Sequence, residues 1–355
     1  MKIQVMRTTS PKAKPNQNAL GFGQYFTDHM FVVNFDRENG GWINPRIVPY
    51  APLALDPAAM VLHYGQEVFE GLKAYRKEDG SLQLFRAIEN IRRFNRSNER
   101  LSIPAMDEGL FMDALNQLVA IDSDWTPTLP DTSLYIRPFI IATDPFLGVR
   151  SSNTFLFIII LSPVGAYYAG GMSPTKILVE DEDVRAVRGG LGFAKTGANY
   201  AATLRAQGRA QQKGFAQILW LDALERKYIE EVGTSNAFFV INGTVITPPL
   251  SGSVLPGITR DSCLKLLASW GIPTEERDIS IDEIIAACEN GQLDEMFATG
   301  TAAVISPVGE LVYKNKSLTI CENKVGPLAQ RLYDQLTNIQ WGRTEDKFGW
   351  ITGIK

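Results

Sequence analysis

Two hydrophobic periods alternate along the first part of the chain. The apolar run at 31–35 and the longer ones at 134–141 and 154–161 have the length and β-branched or aromatic content of buried strands. Between them, Ile91, Phe94 and Leu101 recur at helical spacing while the neighbouring arginines fall on the other side, which predicts a helix over 89–101. Leu110, Phe111, Ala114, Leu115 and Leu118 predict a second helix, beginning after Asp107 and running to about 121. The stretch 64–76 is apolar but broken by glycines.

From 151 to 175 no side chain is charged, which is long enough to raise a membrane span. Only 155–161 is continuously apolar, and Ser162-Pro163, Gly165, Gly170-Gly171 and Pro174 follow. That pattern predicts a buried strand running into a Gly/Pro-rich linker. Beyond it, strands are expected at 176–180 and 216–221, and 238–245 reads as a hairpin around Asn242-Gly243. Helices are expected at 200–213, 259–270, 281–290 and 327–339. The expectation is a mixed α/β chain in two parts, 1–165 and 176–355, joined by a linker at 166–175.

Composition narrows the function classes. A chain of 355 residues with 45% hydrophobic side chains has enough apolar content for about two cores, which excludes a disordered or fibrous protein. Lys plus Arg number 35 against 39 Asp plus Glu, a net charge of −4 without a long like-charge block, so neither nucleic acid nor an anionic membrane is an expected partner. The basic start, 1–16, precedes the first acid, Asp28, but Pro11 and Pro15 break any amphipathic helix and favour an extended arm over a targeting segment. Cys263, Cys288 and Cys321 are far apart and odd in number, reading as buried thiols in a reducing, cytoplasmic setting. With only His29 and His63 besides, no metal site is expected.

The common catalytic motifs are absent. There is no G-x-x-x-x-G-K, no G-x-G-x-x-G between strand and helix, and the nearest approach to a G-x-S-x-G elbow, Gly233 to Ala237, lacks its second glycine. The informative stretch is Gly189-Gly-Leu-Gly-Phe-Ala-Lys195-Thr-Gly-Ala-Asn199-Tyr200, where one lysine sits among small and apolar residues before an Ala-rich helix. Desolvation there favours the neutral amine, moving the pKa from about 10.4 toward about 7 or 8, where it can form a Schiff base. A surface lysine in a Gly-rich turn is the alternative. A lysine-bound pyridoxal phosphate needs an acid at its ring nitrogen and a phosphate cup. Glu231 is a candidate acid, though Glu230-Glu231 also reads as a solvated pair. Pro256-Gly-Ile258-Thr259 opens a helix whose N–H groups suit phosphate, or it is an ordinary Thr cap with Gly271 closing the helix. Gly300-Thr301-Ala302-Ala303 is a small hydroxyl-bearing turn, or only a tight turn. Arg93 can supply counter-charge, and Arg92 beside it leaves that choice open.

Several motifs agree in order. His63-Tyr64-Gly65, Val68-Phe69-Glu70-Gly71, Tyr135-Ile-Arg137-Pro138, Gly192-Phe-Ala-Lys195, Asn199-Tyr200, Glu231-Val-Gly-Thr234, Pro256-Gly-Ile-Thr259 and Gly300-Thr-Ala302 together resemble the branched-chain amino acid aminotransferases, of pyridoxal-phosphate fold type IV. The resemblance runs from about 22 to 341. It implies a small N-terminal α/β domain, a larger C-terminal pseudo-barrel domain carrying the lysine, a pyridoxal 5′-phosphate between them, and a homodimer. Lys195 then resembles the Schiff-base lysine, Tyr200 the partner of the ring oxygen and Glu231 the acid at the pyridine nitrogen. Arg93, Thr234, Ile258, Thr259 and Thr301 complete the implied cofactor set. Tyr64, Phe69, Tyr135, Arg137, Val149, Thr301 and Ala302 are the implied substrate set, with the loop 147–149 reaching the neighbouring subunit's site. The activity implied is reversible ping-pong transfer of an amino group between L-leucine, L-isoleucine or L-valine and 2-oxoglutarate. A D-amino acid transaminase and an aminodeoxychorismate lyase share the fold and stand as alternatives. The redox C-x-x-C of animal mitochondrial members is replaced by Ala303 and Ser306, so the resemblance implies no thiol switch here.

Overall fold

The computed structural model describes residues 1–165 and 172–355, so 166–171 of the expected linker lie outside the described residues. The chain forms two compact units. Of the described residues, the first unit holds 1–165, Ala194–Gly197 and Asn338–Lys355, and the second holds 172–193 and 198–337. The first unit is therefore assembled from three stretches of chain, a composition that one cut between consecutive residues does not contain.

The first unit contains β1 (Gln4–Val5), β2 (His29–Asp36), β3 (Gly41–Pro49), α1 (Met60–Tyr64), β4 (Glu67–Phe69), β5 (Leu72–Arg76), β6 (Leu82–Phe85), α2 (Ala87–Arg100), α3 (Glu108–Ile121), β7 (Ser133–Ala142) and β8 (Thr154–Val164). Its sheet runs β1-β3-β2-β8-β7-β5-β6 and ends on the C-terminal strand Ile351–Gly353, with β4 also paired to β7. One face is apolar because alternate strand residues share a face. Phe155, Phe157, Ile159 and Leu161 of β8 pack with Ile91 and Phe94 of α2 and Phe111 of α3, all nearly or fully buried. Phe157 lies at the centre, its ring 6.1 Å from Phe31, 5.5 Å from Phe94 and 6.1 Å from Phe111. Asp107 starts α3 as expected, its carboxylate accepting the Leu110 N–H at 2.7 Å. The other face of β5, β7 and β8 carries the cross-strand row Lys73, Tyr135 and Ser162, with Arg137 two residues further along β7.

The second unit contains β9 (Thr175–Glu180), most of α4 (Gly197–Ala201), α5 (Leu204–Gln212), β10 (Gln217–Leu221), β11 (Ile229–Val232), β12 (Ser235–Ile241), β13 (Thr244–Thr247), α6 (Ile258–Ser269), β14 (Thr274–Glu276), α7 (Ile281–Glu289), β15 (Leu293–Gly300), β16 (Val304–Tyr313), β17 (Lys316–Thr319) and most of α8 (Pro327–Gln340). Strands β11, β10, β9, β16, β15 and β12 are neighbours in that order, and β12 pairs back to β11, so the six close into a ring. Closure leaves these strands no free edge along the ring. The resemblance implied a barrel carrying the lysine, whereas Lys195 groups by its contacts with the first unit and not with this ring. The hairpin turn is also as expected, with Asn242 and Gly243 at φ 49° and 76°, the left-handed pair of a type I′ turn.

Some elements differ from the sequence expectation. The helix expected over 200–213 is two helices, because the Thr203 hydroxyl and N–H both donate to the Tyr200 carbonyl, at 2.7 and 3.1 Å, and interrupt the ladder. β3, β15 and β16 are strands that the hydrophobic pattern does not predict; Gly40, Gly41 and Pro45 obscure the first, and Pro307 and Gly309 the last. Of the three free thiols only Cys263 is buried, while Cys288 and Cys321 are partly exposed, each lying at one end of its element. Among the described residues no helix is long and apolar enough to cross a membrane, and no group of three His, Cys, Asp or Glu is arranged to hold a metal ion.

Candidate active site

In the first unit, the short segment Ala194–Gly197 is tied down by its backbone. The Lys195 N–H donates to Ser97 Oγ of α2 at 2.9 Å, and the Phe69 N–H donates to the Lys195 carbonyl at 3.0 Å. Glu67 of β4 accepts from the Thr196 hydroxyl at 3.1 Å and from the Gly197 N–H. A Cβ on Gly197 would lie 2.6 Å from Glu67 Oε1, so only glycine permits that approach. Lys195 is thus half-buried and anchored, which removes the reading of a loose surface lysine.

Its side chain faces an aromatic wall. The Lys195 ammonium lies 4.9 Å from the centre of the Phe69 ring, and the Arg137 guanidinium lies 4.8 Å from the same ring and 5.4 Å from that of Tyr135. Arg137 Nη2 donates to the Tyr135 hydroxyl at 3.2 Å. Arg137 Nε is buried with no hydrogen-bond partner among the described residues, leaving a donor for a ligand. Phe69, Tyr135, Arg137 and Lys195 therefore lie together in this unit.

Two carboxylates next to this wall have opposite character. Burial raises the pKa of Glu67, against the opposing pull of the Gly197 and Thr196 hydrogen bonds and of Arg137. Burial also acts to raise that of Glu70, but the charge and hydrogen bonds of Arg93, with Lys195 and Asn90, outweigh it and hold the carboxyl below its usual range. Arg93 is engaged by this acid on α2, its Nε and Nη2 bonding both Glu70 oxygens. Arg92 instead pairs at the surface with Glu89. Lys73 is almost fully buried and desolvation lowers its pKa to about 8.

Tyr64 and Val149 are both exposed. The Tyr64 hydroxyl donates to the Leu147 carbonyl, and Tyr64, Phe146, Leu147 and Val149 are each exposed, Val149 to 85%.

In the second unit, Glu230 and Glu231 are both buried on β11, which removes the reading of a solvated pair. Glu231 accepts the Leu255 N–H at 2.7 Å and lies 3.3 Å from Arg185 Nε, so a cation accompanies the acid. Burial raises the pKa of Glu230, which accepts from the Ser253 hydroxyl. The helix α6 begins at Ile258 with Gly257 as its N-cap and no side-chain cap; Thr259 lies inside the first turn and is not the cap. A Cβ on Gly257 would fall 2.0 Å from Asn236 Oδ1, so glycine lets β12 approach the helix start. Gly271, at φ 68°, follows the other end of α6 as expected. Thr301 and Ala302 are half-buried in the β15–β16 turn, which Val304 closes at φ 62°, a strained conformation for a β-branched residue. Thr299 Oγ1, just before that turn, is buried with no partner among the described residues. Tyr200 is half-buried on α4, and Thr234 is exposed at the β11–β12 turn.

Sequence reasoning missed Glu67, Ser97 and Arg185. Ser97 follows Arg93 by four residues and so shares its helix face, a spacing that pointed to it. Nothing local marked Arg185, whose role depends on a strand distant in sequence.

Residues 67–311 match the family model described as Amino-transferase class IV. The chain belongs to the class IV aminotransferases. It is 57% identical over 352 residues to branched-chain-amino-acid aminotransferase 2 of Bacillus subtilis, covering 99% of this chain and 97% of that one. Among solved structures it resembles the branched-chain amino acid aminotransferase of Escherichia coli, with TM-score 0.77, 29% identity, and 92% and 99% of the two chains covered. It also resembles a branched-chain amino acid aminotransferase complexed with N-(5′-phosphopyridoxyl)-L-glutamate, from the organism abbreviated T.th., with TM-score 0.75, 27% identity, and 92% and 98% covered. The mixed α/β fold is that of the fold type IV aminotransferases.

Proposed function

We propose that this chain is a branched-chain amino acid aminotransferase that uses pyridoxal 5′-phosphate to move an amino group between L-leucine, L-isoleucine or L-valine and 2-oxoglutarate. The observation that carries the reading is the Phe69 ring with the Lys195 ammonium and the Arg137 guanidinium both within 5 Å of its centre. It puts an amine, an apolar wall and a cation side by side. The full-length likeness to the Bacillus subtilis aminotransferase and the phosphopyridoxyl-glutamate bound by the T.th. relative support it.

The residues present suit the cofactor. The start of α6 has no side-chain cap, which favours an anion at its first N–H groups. Glu231, kept next to Arg185, is a buried acceptor for a protonated ring nitrogen. In this reading Lys195 is the catalytic residue; Ile258, Thr259, Thr301 and Thr234 serve the cofactor with Arg93, and Tyr200 its ring oxygen. When bound, pyridoxal phosphate supplies an aldehyde carbon for amine exchange and a ring that withdraws electrons from the substrate's α-carbon. Lys195 Nζ, once neutral, would be the base that takes the substrate's α-proton and carries it to the far side of the amino nitrogen. Its backbone bonds to Ser97 and Phe69 fix the main chain from which that nitrogen reaches. Phe69 and Tyr135 offer an apolar lining to a branched side chain, and Arg137 Nε with the Tyr135 hydroxyl offers donors to a γ-carboxylate. One pocket thereby serves both substrates, and the half-reactions alternate.

We also propose a cytoplasmic homodimer in which the loop 147–149 reaches the neighbouring subunit's site, since such an exposed apolar loop invites a partner, and Tyr64, bonded to that loop, serves the substrate. The test is the visible absorbance of the purified protein. L-leucine should bleach the cofactor band, 2-oxoglutarate should restore it, and D-alanine should leave it unchanged. A band that answers only to D-alanine, or no cofactor uptake at all, overturns the proposal.

A further inference from the structure

We propose that Glu67 is a positioning residue for Lys195, its carboxylate fixing the peptide that follows the lysine and so the place from which the amine works. The proposal rests on the transaminase reading above and adds a residue to it.

Alternation along β4 makes this possible. Val68 is buried in the core, so Glu67 and Phe69 share the opposite face of the strand. Phe69 gives one main-chain bond to the Lys195 carbonyl and sets its ring beside the ammonium. Two residues back, Glu67 reaches the next peptide, accepting from Thr196 Oγ1 at 3.1 Å and from the Gly197 N–H. Gly197 is the first residue of α4, so its N–H has no carbonyl within the helix and a carboxylate suits it. β4 is itself paired to β7 at all three residues, which gives the acid a rigid base.

The space at Gly197 matches this acid. A Cβ there would lie 2.6 Å from Glu67 Oε1 and 3.4 Å from its carboxyl carbon, so a methyl group must push the end of the side chain off its donors. Gly197 has no positive φ, so room and not backbone freedom calls for glycine. Ser97 and Phe69 hold residue 195 at its N–H and its carbonyl. Beyond that carbonyl, the turn into α4 has Glu67 as its side-chain tie, kept there although burial opposes its charge. Lys195 Nζ has to meet the cofactor and then the substrate from one backbone position, and a misplacement of about 1 Å costs about a hundredfold in rate.

The test compares Glu67→Ala, Glu67→Gln, Gly197→Ala and the Glu67→Ala/Gly197→Ala double variant with the unsubstituted protein. Single-turnover reaction of each holoenzyme with L-leucine is followed by absorbance and counted per bound cofactor, so that a misfolded fraction does not enter. The second readout needs no substrate: after the cofactor is removed, pyridoxal phosphate is added back and the rate at which the full chain recovers its band is recorded. Glu67→Ala and Gly197→Ala should each lower the limiting rate with L-leucine about tenfold or more, move its half-saturating concentration less than about threefold, and slow recovery of the band about tenfold. Glu67→Gln keeps an acceptor and should stay within about threefold in both rates. The double variant should be little slower than either single one, because the carboxylate that the methyl group displaces is already gone.

A Glu67→Gln as slow as Glu67→Ala, losses confined to the half-saturating concentration, or additive losses in the double variant overturn the proposal. If Glu67→Ala does not fold, Gly197→Ala and Glu67→Gln carry the test: a slow Gly197→Ala beside a near-normal Glu67→Gln upholds the proposal, and equal rates in the two overturn it. An unsubstituted enzyme that takes up no cofactor or does not react with L-leucine overturns the underlying reading and this proposal with it. A normal unsubstituted enzyme with an equally fast Glu67→Ala overturns this proposal alone.

Discussion

Arg93 holds both oxygens of the Glu70 carboxylate, at 2.7 Å from Nε and 2.8 Å from Nη2, with the acid 0% and the arginine 4% exposed. The pair links α2 to the junction of β4 and β5, with Gly71 bonded to the same carboxylate. Removing one charge leaves the other buried and uncompensated. Glu70→Gln is expected to destabilise the protein by about 3–5 kcal/mol, read as a lower urea midpoint at neutral pH. Because the folded-state pKa of Glu70 lies below its ordinary value of 4.5, its contribution is present above that pH and is lost as the pH falls through the lower folded value. The unsubstituted protein should lose stability more steeply than Glu70→Gln on acidification below about pH 4.5; parallel curves count against this role.

Glu67 has the opposite sign. Its folded-state pKa is raised above 4.5, chiefly by burial, so in the window between the two values the folded state binds the proton more tightly and stability falls as the pH rises. Glu67→Gln keeps an acceptor for Gly197 and Thr196 but cannot titrate. Its melting temperature should be flatter with pH than that of the unsubstituted protein from about pH 4.5 upward through the folded-state value. Glu67→Ala, which removes the acceptor, should lower the melting temperature at every pH. A Gln variant with an unchanged pH slope would rule out Glu67 as the source.

Lys195 is anchored through its main chain, so its amine can be removed without undoing the segment. Lys195→Ala should retain the melting temperature within a few degrees and lose at least about 10²–10⁴-fold in transamination rate. Rate measurements with L-leucine and 2-oxoglutarate, paired with a thermal melt, check both halves. Retained turnover would exclude Lys195 as the proton carrier.

Gly257 tests the start of α6. A methyl group there meets Asn236 Oδ1, and Asn236 in turn holds the Leu255 carbonyl at 2.9 Å. Gly257→Ala should weaken uptake of pyridoxal phosphate by about tenfold, measured by absorbance titration of the cofactor-free protein, with a smaller effect on the affinity for L-leucine. Unchanged uptake would separate this turn from phosphate binding.

How much of this was legible before folding differs from residue to residue. Helix α3 was readable because Asp107 and the apolar spacing from Leu110 to Leu118 are local, and α2 for the same reason. The hairpin at Asn242-Gly243 announced itself through left-handed residues that few side chains tolerate. β15 and β16 did not, since their identity comes from pairing within the ring, and Thr203 split a helix by a competition that helical spacing does not record. Lys195, Glu231, Tyr135 and Arg137 stood in recognisable motifs. Glu67, Ser97 and Arg185 did not, because each acts on a residue far away in the chain.

By itself the sequence determined what depends on neighbours along the chain: helix spans, caps, the tight turn, and which chemical groups are available. Tertiary structure decided what depends on distance across it. It paired Glu70 with Arg93 rather than leaving the acid unmatched, closed six strands into a ring, and set the Lys195 and Arg137 cations on one Phe69 ring. It also gave Gly71 its meaning: nothing along the chain says that a tyrosine hydroxyl 64 positions later will occupy the space a side chain would need, because excluded volume becomes a constraint only once the strands have met.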